Sequence, residues 1–168
     1  GLAPSAELLV AKVVDSERSI SVRAEARAIR WAVDQGARVI NMSLGGLRDP
    51  LDGERDTYST TEAEAIAYAV RKGVLVVAAV GNGDQAPREP WPYATYPAAL
   101  PHVLGVSAVG RSGASPSFSN RDRIYNDVAA PGVAILSTFP RSLTADREDC
   151  VLQGFTSCAS DEFVEPEG

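Results

Sequence analysis

The sequence predicts an α/β fold in which a mainly parallel sheet is covered by helices on both faces. Three apolar segments, Val39–Ser43, Val74–Val80 and Val103–Val109, lack polar alternation, which is typical of strands buried on both faces. Segments with helical periodicity precede the first two of these strands, and such alternation indicates a parallel sheet. Because ligands bind beyond the carboxyl ends of parallel strands, residues at those ends are the first functional candidates.

Two segments carry the residue spacing of helices. In the first, Ser21 is the expected N-cap and Gly36 follows the last turn, with apolar residues at helical spacing between them: Val22, Ala26, Ile29 and Val33. The second helix is expected to open at Thr61-Glu62-Ala63-Glu64, which has the form of a capping box, and to close at Gly73.

Shorter segments complete the predicted order. Glu7–Val14 is expected to be the first strand, and the short apolar stretches 127–130 and 134–137 flank Pro131-Gly132. The connection Leu44–Thr60 is polar and contains turn dipeptides. Its carboxylates are expected to form a solvated loop rather than a metal site: Asp49, Asp52, Glu54 and Asp56.

Composition bounds the class of protein. With 168 residues, 45% of them hydrophobic and 23% charged, the chain fits one globular domain. A formal charge of −6 argues against a nucleic-acid partner, which needs clustered Lys and Arg. No apolar run approaches the ~18 residues of a membrane span. The first residues lack the basic and apolar regions of a signal peptide, which suggests a chain cut from a longer one.

Asn82 is the first candidate for chemistry. It follows the apolar strand Val74–Val80 and lies between Gly81 and Gly83. An amide held there can donate a hydrogen bond to a group above the sheet. In acyl transfer, a preorganised donor of this kind lowers the barrier by roughly 3–4 kcal/mol because it stabilises the tetrahedral oxyanion. The alternative is a loop asparagine that tolerates a left-handed turn.

The segment Ser43-Leu44-Gly45-Gly46 leaves the neighbouring strand and is a candidate for binding a peptide backbone. A protease that accepts varied sequences can add its substrate as an extra strand, and glycines allow the close approach. Leu44 can form one wall of an apolar pocket and the segment Ala78–Gly81 another. A plain strand-to-helix turn with two flexible glycines is the alternative for this segment.

These segments, with others in the same order, resemble the catalytic core of subtilisin-like serine proteases (subtilases, peptidase S8 family). The other matching segments are Gly1–Ala6, Tyr96-Pro97-Ala98, Ser117–Asn120 and Val128–Val133. The resemblance implies an internal fragment of a subtilase catalytic domain with an incomplete three-layer subtilisin-like fold. Residues 1–140 would form the partial core, and residues 141–168 a polar insertion or loop leading to the nucleophile.

The resemblance also implies roles for particular residues. Asn82 would be the oxyanion-hole donor, and a cis peptide bond is expected at Tyr96-Pro97. Calcium is common in the family, and carbonyls near Ala98 and Val103 correspond to a weak cation site, although no cofactor is required. The substrate-binding residues would be Ser43, Leu44, Gly45, Gly46, Ala79, Val80 and Gly81.

The catalytic Asp and His of the family lie upstream of the segment that Gly1–Ala6 resembles. The single histidine, His102, matches no catalytic position and is interpreted as an ordinary loop residue. The chain alone is therefore expected to be inactive, because no histidine takes the proton of the serine.

Ser157 is a candidate nucleophile, since Gly154–Ser160 is similar to the Gly-Thr-Ser motif of the family. Phe155 interrupts that motif and Asp161 stands where proline is expected. We therefore interpret Ser157 as a decoy in a loop and place the nucleophile just beyond Gly168. Cys150 and Cys158 are close in sequence and are expected to form a disulfide in an oxidising compartment.

The leading hypothesis is a fragment of a secreted, extracellular or cell-surface serine endopeptidase. Its partners would be a protein or peptide substrate and the missing parts of its own catalytic domain. One alternative is a subtilase-like domain that only binds peptides. A nucleotide-binding domain that uses Gly81-Asn82-Gly83 is less well supported, because no glycine-rich phosphate fingerprint follows a strand.

Overall fold

The computed structural model describes residues 3–15, 19–83 and 86–135. All neighbouring strands are parallel, in the order β1-β2-β3-β4, which confirms the predicted α/β class and parallel sheet. The elements in chain order are α1 (Val22–Asp34), β1 (Val39–Met42), α2 (Thr60–Arg71), β2 (Leu75–Ala79), β3 (Val103–Val109) and β4 (Val128–Pro131).

The register of the sheet brings the carboxyl ends of β1 and β2 together. Val39 lies opposite Leu75 at the start of both strands, and Met42 lies opposite Ala78 near their ends. Ser43 follows β1 directly and Asn82 follows β2 after a short exit. The two candidate segments therefore meet at one edge of the sheet, as the topology of a parallel sheet requires.

The helices cover the sheet through a core of small and branched side chains. α1 and α2 pack against each other, and α2 also packs on β2. Ala65, Ile66 and Ala69 of α2 are almost fully buried, as are Val76 and Ala78 of β2. Small residues on α2 allow the helix to approach the sheet closely, which fixes the strand exits on which the candidate site depends.

The N-cap predicted at Thr61 was wrong by two residues. α2 begins at Thr60, and its N-cap is Ser59, whose hydroxyl accepts a hydrogen bond from the Glu62 amide at 3.4 Å. Ser59 is extended, so it ends the loop, whereas Thr61 is already helical. The side chain of Glu62 does not return to the N-cap and instead contacts Glu25 of α1.

The segment predicted as the first strand, Glu7–Val14, forms no strand in the described part of the chain. Only Val14 makes a bridge, with Ile20, while Leu8 and Val10 are more than four-fifths exposed. This segment and the free edge of β1 line a groove of about 640 Å³. A strand needs a hydrogen-bonded neighbour, and the described residues supply none to this segment.

The loop after β1 is more ordered than the predicted solvated loop. Asp49 is 1% exposed and forms an ion pair with Arg55 at 2.8 Å. Its other contacts are with the loop itself: Asp49 accepts from the Leu51 amide at 3.1 Å, and its own amide donates to Asp56 at 2.9 Å. Short carboxylates near turns satisfy local amides in this way, which is why Asp49 is buried rather than solvated.

Candidate active site

Most of the predicted site residues surround one small cavity beyond the carboxyl ends of β1 and β2. Its volume is about 180 Å³. Val80 and Gly46 do not line it: Val80 is 1% exposed and packs in the core, since alternate residues of a strand face opposite sides. The lining residues are Ser43, Leu44, Gly45, Leu47, Ala79, Gly81, Asn82 and Thr95.

Asn82 lies at the mouth of this cavity on a backbone that is fixed on both sides. Asn82 makes a bridge with Ser119, and the next amide, that of Gly83, donates to the Phe118 carbonyl at 2.7 Å. The Asn82 side chain is exposed, and no described residue forms a hydrogen bond with its amide. A rigid backbone carrying an uncommitted donor is the arrangement that a developing negative charge needs.

Asn120 and Thr95 hold the strand exit in place, and sequence reasoning gave neither of them a role. Asn120 is 1% exposed; its side-chain amide donates to the Val80 carbonyl at 3.0 Å, and its backbone amide donates to the Gly81 carbonyl at 2.9 Å. The Thr95 amide also donates to the Val80 carbonyl, at 2.9 Å. The one available signal was the position of Asn120 in the matched segment Ser117–Asn120.

Gly81 must be glycine for two physical reasons. Its φ is +94°, in the left-handed region, and a Cβ there would lie 2.8 Å from the Thr95 hydroxyl and 2.9 Å from the Asn120 amide. The space beside Gly81 is therefore filled by protein, which explains the glycine without a phosphate and weakens the nucleotide-binding interpretation. Gly45 is similarly close to the Tyr96 carbonyl and the Thr95 hydroxyl.

The segment Ser43–Gly46 is anchored to the chain that follows β2. Gly46 and Tyr96 exchange two backbone hydrogen bonds, each of 2.9 Å, in an antiparallel bridge. The Tyr96-Pro97 peptide bond is cis, as predicted. Ser43 and Gly45 remain exposed, so the backbone between the end of β1 and this bridge is open to a ligand.

A partly buried ion pair stabilises the same region. The guanidinium of Arg48 contacts the Asp122 carboxylate at 3.1 Å and lies over the rings of Tyr93 and Tyr125. The indole of Trp91 donates to the Arg48 carbonyl at 3.0 Å. These contacts tie the loop after β1 to the segments before and after β3, which keeps the walls of the cavity at a fixed separation.

Asp122 is ionised in this setting. Burial acts against its charged form, but amides of Ala94, Ile124 and Tyr125 donate to its carboxylate. Together with the charge of Arg48, these hydrogen bonds outweigh burial and lower the pKa of Asp122 below its ordinary value of 3.8. The carboxylate is thus a structural anchor rather than a proton donor.

His102 is remote from the cavity. It occupies an exposed turn with a φ of 66° and immediately precedes β3. Val103 is level with Val76 near the start of β2, so His102 lies at the edge of the sheet opposite to Asn82. Its interpretation as a loop histidine agrees with this position.

The predictions for Ser157 and for a Cys150–Cys158 disulfide fall outside the described residues. Leu136 and Ser137 of the predicted stretch 134–137 do so as well. Within the described residues, no helix has both the length and the hydrophobicity needed to cross a membrane.

The described residues do not form a site with carboxylate or imidazole ligands for calcium or another metal. No three His, Cys, Asp or Glu side chains in this part of the chain come close enough to hold an ion. The segment from Ala98 to Val103 contains no carboxylate, so a cation there would be held by backbone carbonyls, which are also calcium ligands. The weak cation site that the resemblance implies at these carbonyls stays a prediction.

Comparison with known proteins identifies the family of the chain. Residues 1–160 match the Subtilase family. The chain belongs to the subtilase family. This subtilase is 38% identical over 146 residues to thermitase from Thermoactinomyces vulgaris, a match that covers 86% of the chain and 46% of thermitase. It is 39% identical over 140 residues to subtilisin E from Bacillus subtilis (strain 168), covering 83% of the chain and 34% of subtilisin E.

Solved structures give the same family. The patellamide maturation protease PatA shares 34% sequence identity with this subtilase and superimposes with a TM-score of 0.64. That match covers 75% of the chain and 43% of PatA. The chain thus spans less than half the length of each of these relatives.

Proposed function

We propose that this subtilase chain is part of a serine endopeptidase that hydrolyses peptide bonds by acyl transfer. Asn82 donates a hydrogen bond to the oxyanion, and Ser43–Gly46 binds the backbone of the substrate. The observation that carries the proposal is the cavity in which Asn82 meets Ser43, Leu44 and Gly45. Its volume of about 180 Å³ suits one side chain of the substrate, with Leu44 and Ala79 as apolar walls.

The reaction needs groups that the described residues do not bring to this edge. The proton of a serine nucleophile must pass to a histidine that an aspartate orients, and His102 lies at the opposite edge of the sheet. We assign the Asp and His to the remainder of the catalytic domain, which would also cover the free edge of β1 and the groove beside Glu7–Val14. The domain would act outside the cell or at its surface.

The isolated chain is expected to have no measurable protease activity, whereas the full-length protein cleaves peptides. Activity is compared on a casein or peptide substrate, with and without a serine-directed fluorophosphonate. If the isolated chain cleaved the substrate and the inhibitor blocked that cleavage, the proposal that the catalytic Asp and His lie in the remainder of the domain would be contradicted. Absence of inhibitor-sensitive turnover in the full-length protein would instead favour a subtilase domain that only binds peptides.

Ser157 is proposed to be dispensable. Ser157→Ala in the full-length protein is expected to leave kcat within about threefold of the wild type, because the nucleophile follows Gly168. Removal of a true nucleophile from a triad costs on the order of 10⁶ in kcat. Loss of nearly all activity in Ser157→Ala would therefore reassign the nucleophile to Ser157, and circular dichroism of the variant distinguishes this loss from misfolding.

A further inference from the structure

Two glutamates that the proposed reaction does not use are buried against each other. Glu25 lies in the first turn of α1 and Glu62 in the first turn of α2, and each is only 5% exposed. Their carboxyl groups are close enough to share a hydrogen bond when one of them keeps a proton. Burial raises the pKa of both carboxyl groups, and burial together with the neighbouring Glu25 carboxyl raises that of Glu62 to about 8.

The hydrogen bonding of this pair is incomplete. Oε1 of Glu25 is buried and has no hydrogen-bond partner, and no described residue forms an ion pair with either glutamate. Glu25 also lines the groove of about 640 Å³ between α1 and the free edge of β1. A buried acceptor without a donor is unfavourable, so a donor that reached Oε1 from the groove would remove this cost.

Leu44 connects the pair to the candidate active site. It lines both the cavity that contains Asn82 and the groove that contains Glu25, and it packs on the hydrophobic core. A peptide that runs along Ser43–Gly46 would therefore contact a residue that borders both. An extended chain advances about 3.3 Å per residue, so we expect a side chain that reaches the pair to lie a few residues from the cleaved bond.

We propose that Glu25 and Glu62 bind a lysine or arginine side chain of the substrate, and that this contact selects a cationic residue near the cleaved bond. The inference rests on the proposed function, because Ser43–Gly46 must hold the peptide. The incoming cation displaces the shared proton to solvent. Two carboxylates then accept charge-assisted hydrogen bonds, including one at the unpartnered Oε1 of Glu25.

The test compares matched peptides in the full-length protein. A lysine is moved one position at a time along a cleavable peptide, and each peptide is compared with its Nε-acetyl-lysine counterpart, which keeps the stem but lacks the charge. An arginine–citrulline pair repeats the comparison. At one position, kcat/KM for the cationic peptide is expected to exceed that for the neutral peptide by about tenfold or more.

Three variants identify the residues that recognise the positive charge of the peptide. In Glu25→Gln and in Glu25→Gln/Glu62→Gln, the ratio between the cationic and neutral peptides is expected to fall towards one. Glu64→Gln is the matched control, since Glu64 is exposed on the same helix, and its ratio is expected to equal that of the wild type. Circular dichroism checks that each variant is folded, and the single variant serves where the double variant does not fold.

The outcomes separate this inference from the proposed function. Cleavage of neutral peptides with a ratio near one at every position overturns the inference but supports the protease assignment. A ratio that stays at the wild-type value in the glutamine variants also overturns the inference, since other residues then recognise the charge. If no peptide is cleaved, fluorescence anisotropy with the same labelled peptides decides. If the lysine peptide binds more tightly than the neutral peptide and Glu25→Gln abolishes this difference, the inference about charge recognition is supported even though the chain does not act as a protease. Equal binding of the two peptides overturns the inference.

Discussion

Gly81 is the residue at which the candidate site depends most directly on local geometry. Gly81→Ala is expected to lower the free energy of unfolding by about 2 kcal/mol or more, from left-handed strain together with overpacking against Thr95 and Asn120. Gly36→Ala is the matched control, because Gly36 has a similar φ of +86° but nothing within 4 Å of its added Cβ. Urea unfolding of both full-length variants measures the difference.

The comparison between the two variants separates the free-energy cost of overpacking from the cost of backbone strain. Gly36→Ala is expected to cost only about 1 kcal/mol, the conformational contribution alone. Equal losses in the two variants would mean that Thr95 and Asn120 move away at little cost. The backbone after β2 would then be too flexible to hold Asn82 in a fixed position.

At the scale of elements, the contact between α1 and α2 makes stability depend on pH. The folded pKa of Glu62, about 8, is raised above the ordinary value of 4.5, so the folded state holds a proton that the unfolded state has lost. The stabilisation is therefore present below pH 4.5 and is lost as the pH rises towards 8. The free energy of unfolding should fall by up to about 1.4 kcal/mol per pH unit in this window.

Glu62→Gln reduces this dependence, because glutamine needs no proton to stay neutral, while the raised pKa of Glu25 contributes to the slope that remains. The slope of unfolding free energy between pH 5 and pH 8 is expected to flatten in Glu62→Gln and to persist in Glu64→Gln. Urea unfolding at a series of pH values measures both slopes. An unchanged slope in Glu62→Gln would show that another group carries the proton.

The elements themselves were largely predictable. β3 has the predicted bounds, and β1 and β2 differ from the predicted segments only at their ends. The reason is that runs of valine without polar alternation indicate strands of a parallel sheet that are buried on both faces. The helices were also found, although the N-cap of α2 was Ser59 rather than Thr61. Several residues in this stretch can cap a helix, and the packing of α2 on the sheet selects among them.

Contacts between distant elements were not predictable. Helical periodicity assigns polar residues to solvent, and so it hides the buried pair of Glu25 and Glu62. The hydrogen bonds from Asn120 to the exit of β2 join residues 40 apart in sequence, and no local pattern encodes them. Glu7–Val14 has the composition of a strand, but composition does not supply the neighbour that a strand needs.

At the scale of the whole molecule, the described residues leave one edge of the sheet open. The sheet ends at β1, where Val39 is 56% exposed, and the segment Glu7–Val14 lies across a groove from that edge. Exposed apolar surface of this kind is normally covered. The short span relative to thermitase and subtilisin E supports our proposal that the rest of the domain covers this edge and supplies the Asp and His.

The most direct measurement is the steady-state kinetics of Asn82→Ala in the full-length protein. We expect kcat to fall by about 10²–10³ with little change in KM, because the amide acts on the transition state; this magnitude is the one known for an oxyanion donor in subtilisin, a member of the same family. Asn82→Asp is expected to lose at least as much, since its charge repels the oxyanion. A fall in kcat of less than tenfold, or a change confined to KM, would contradict the assignment of Asn82 as the oxyanion donor.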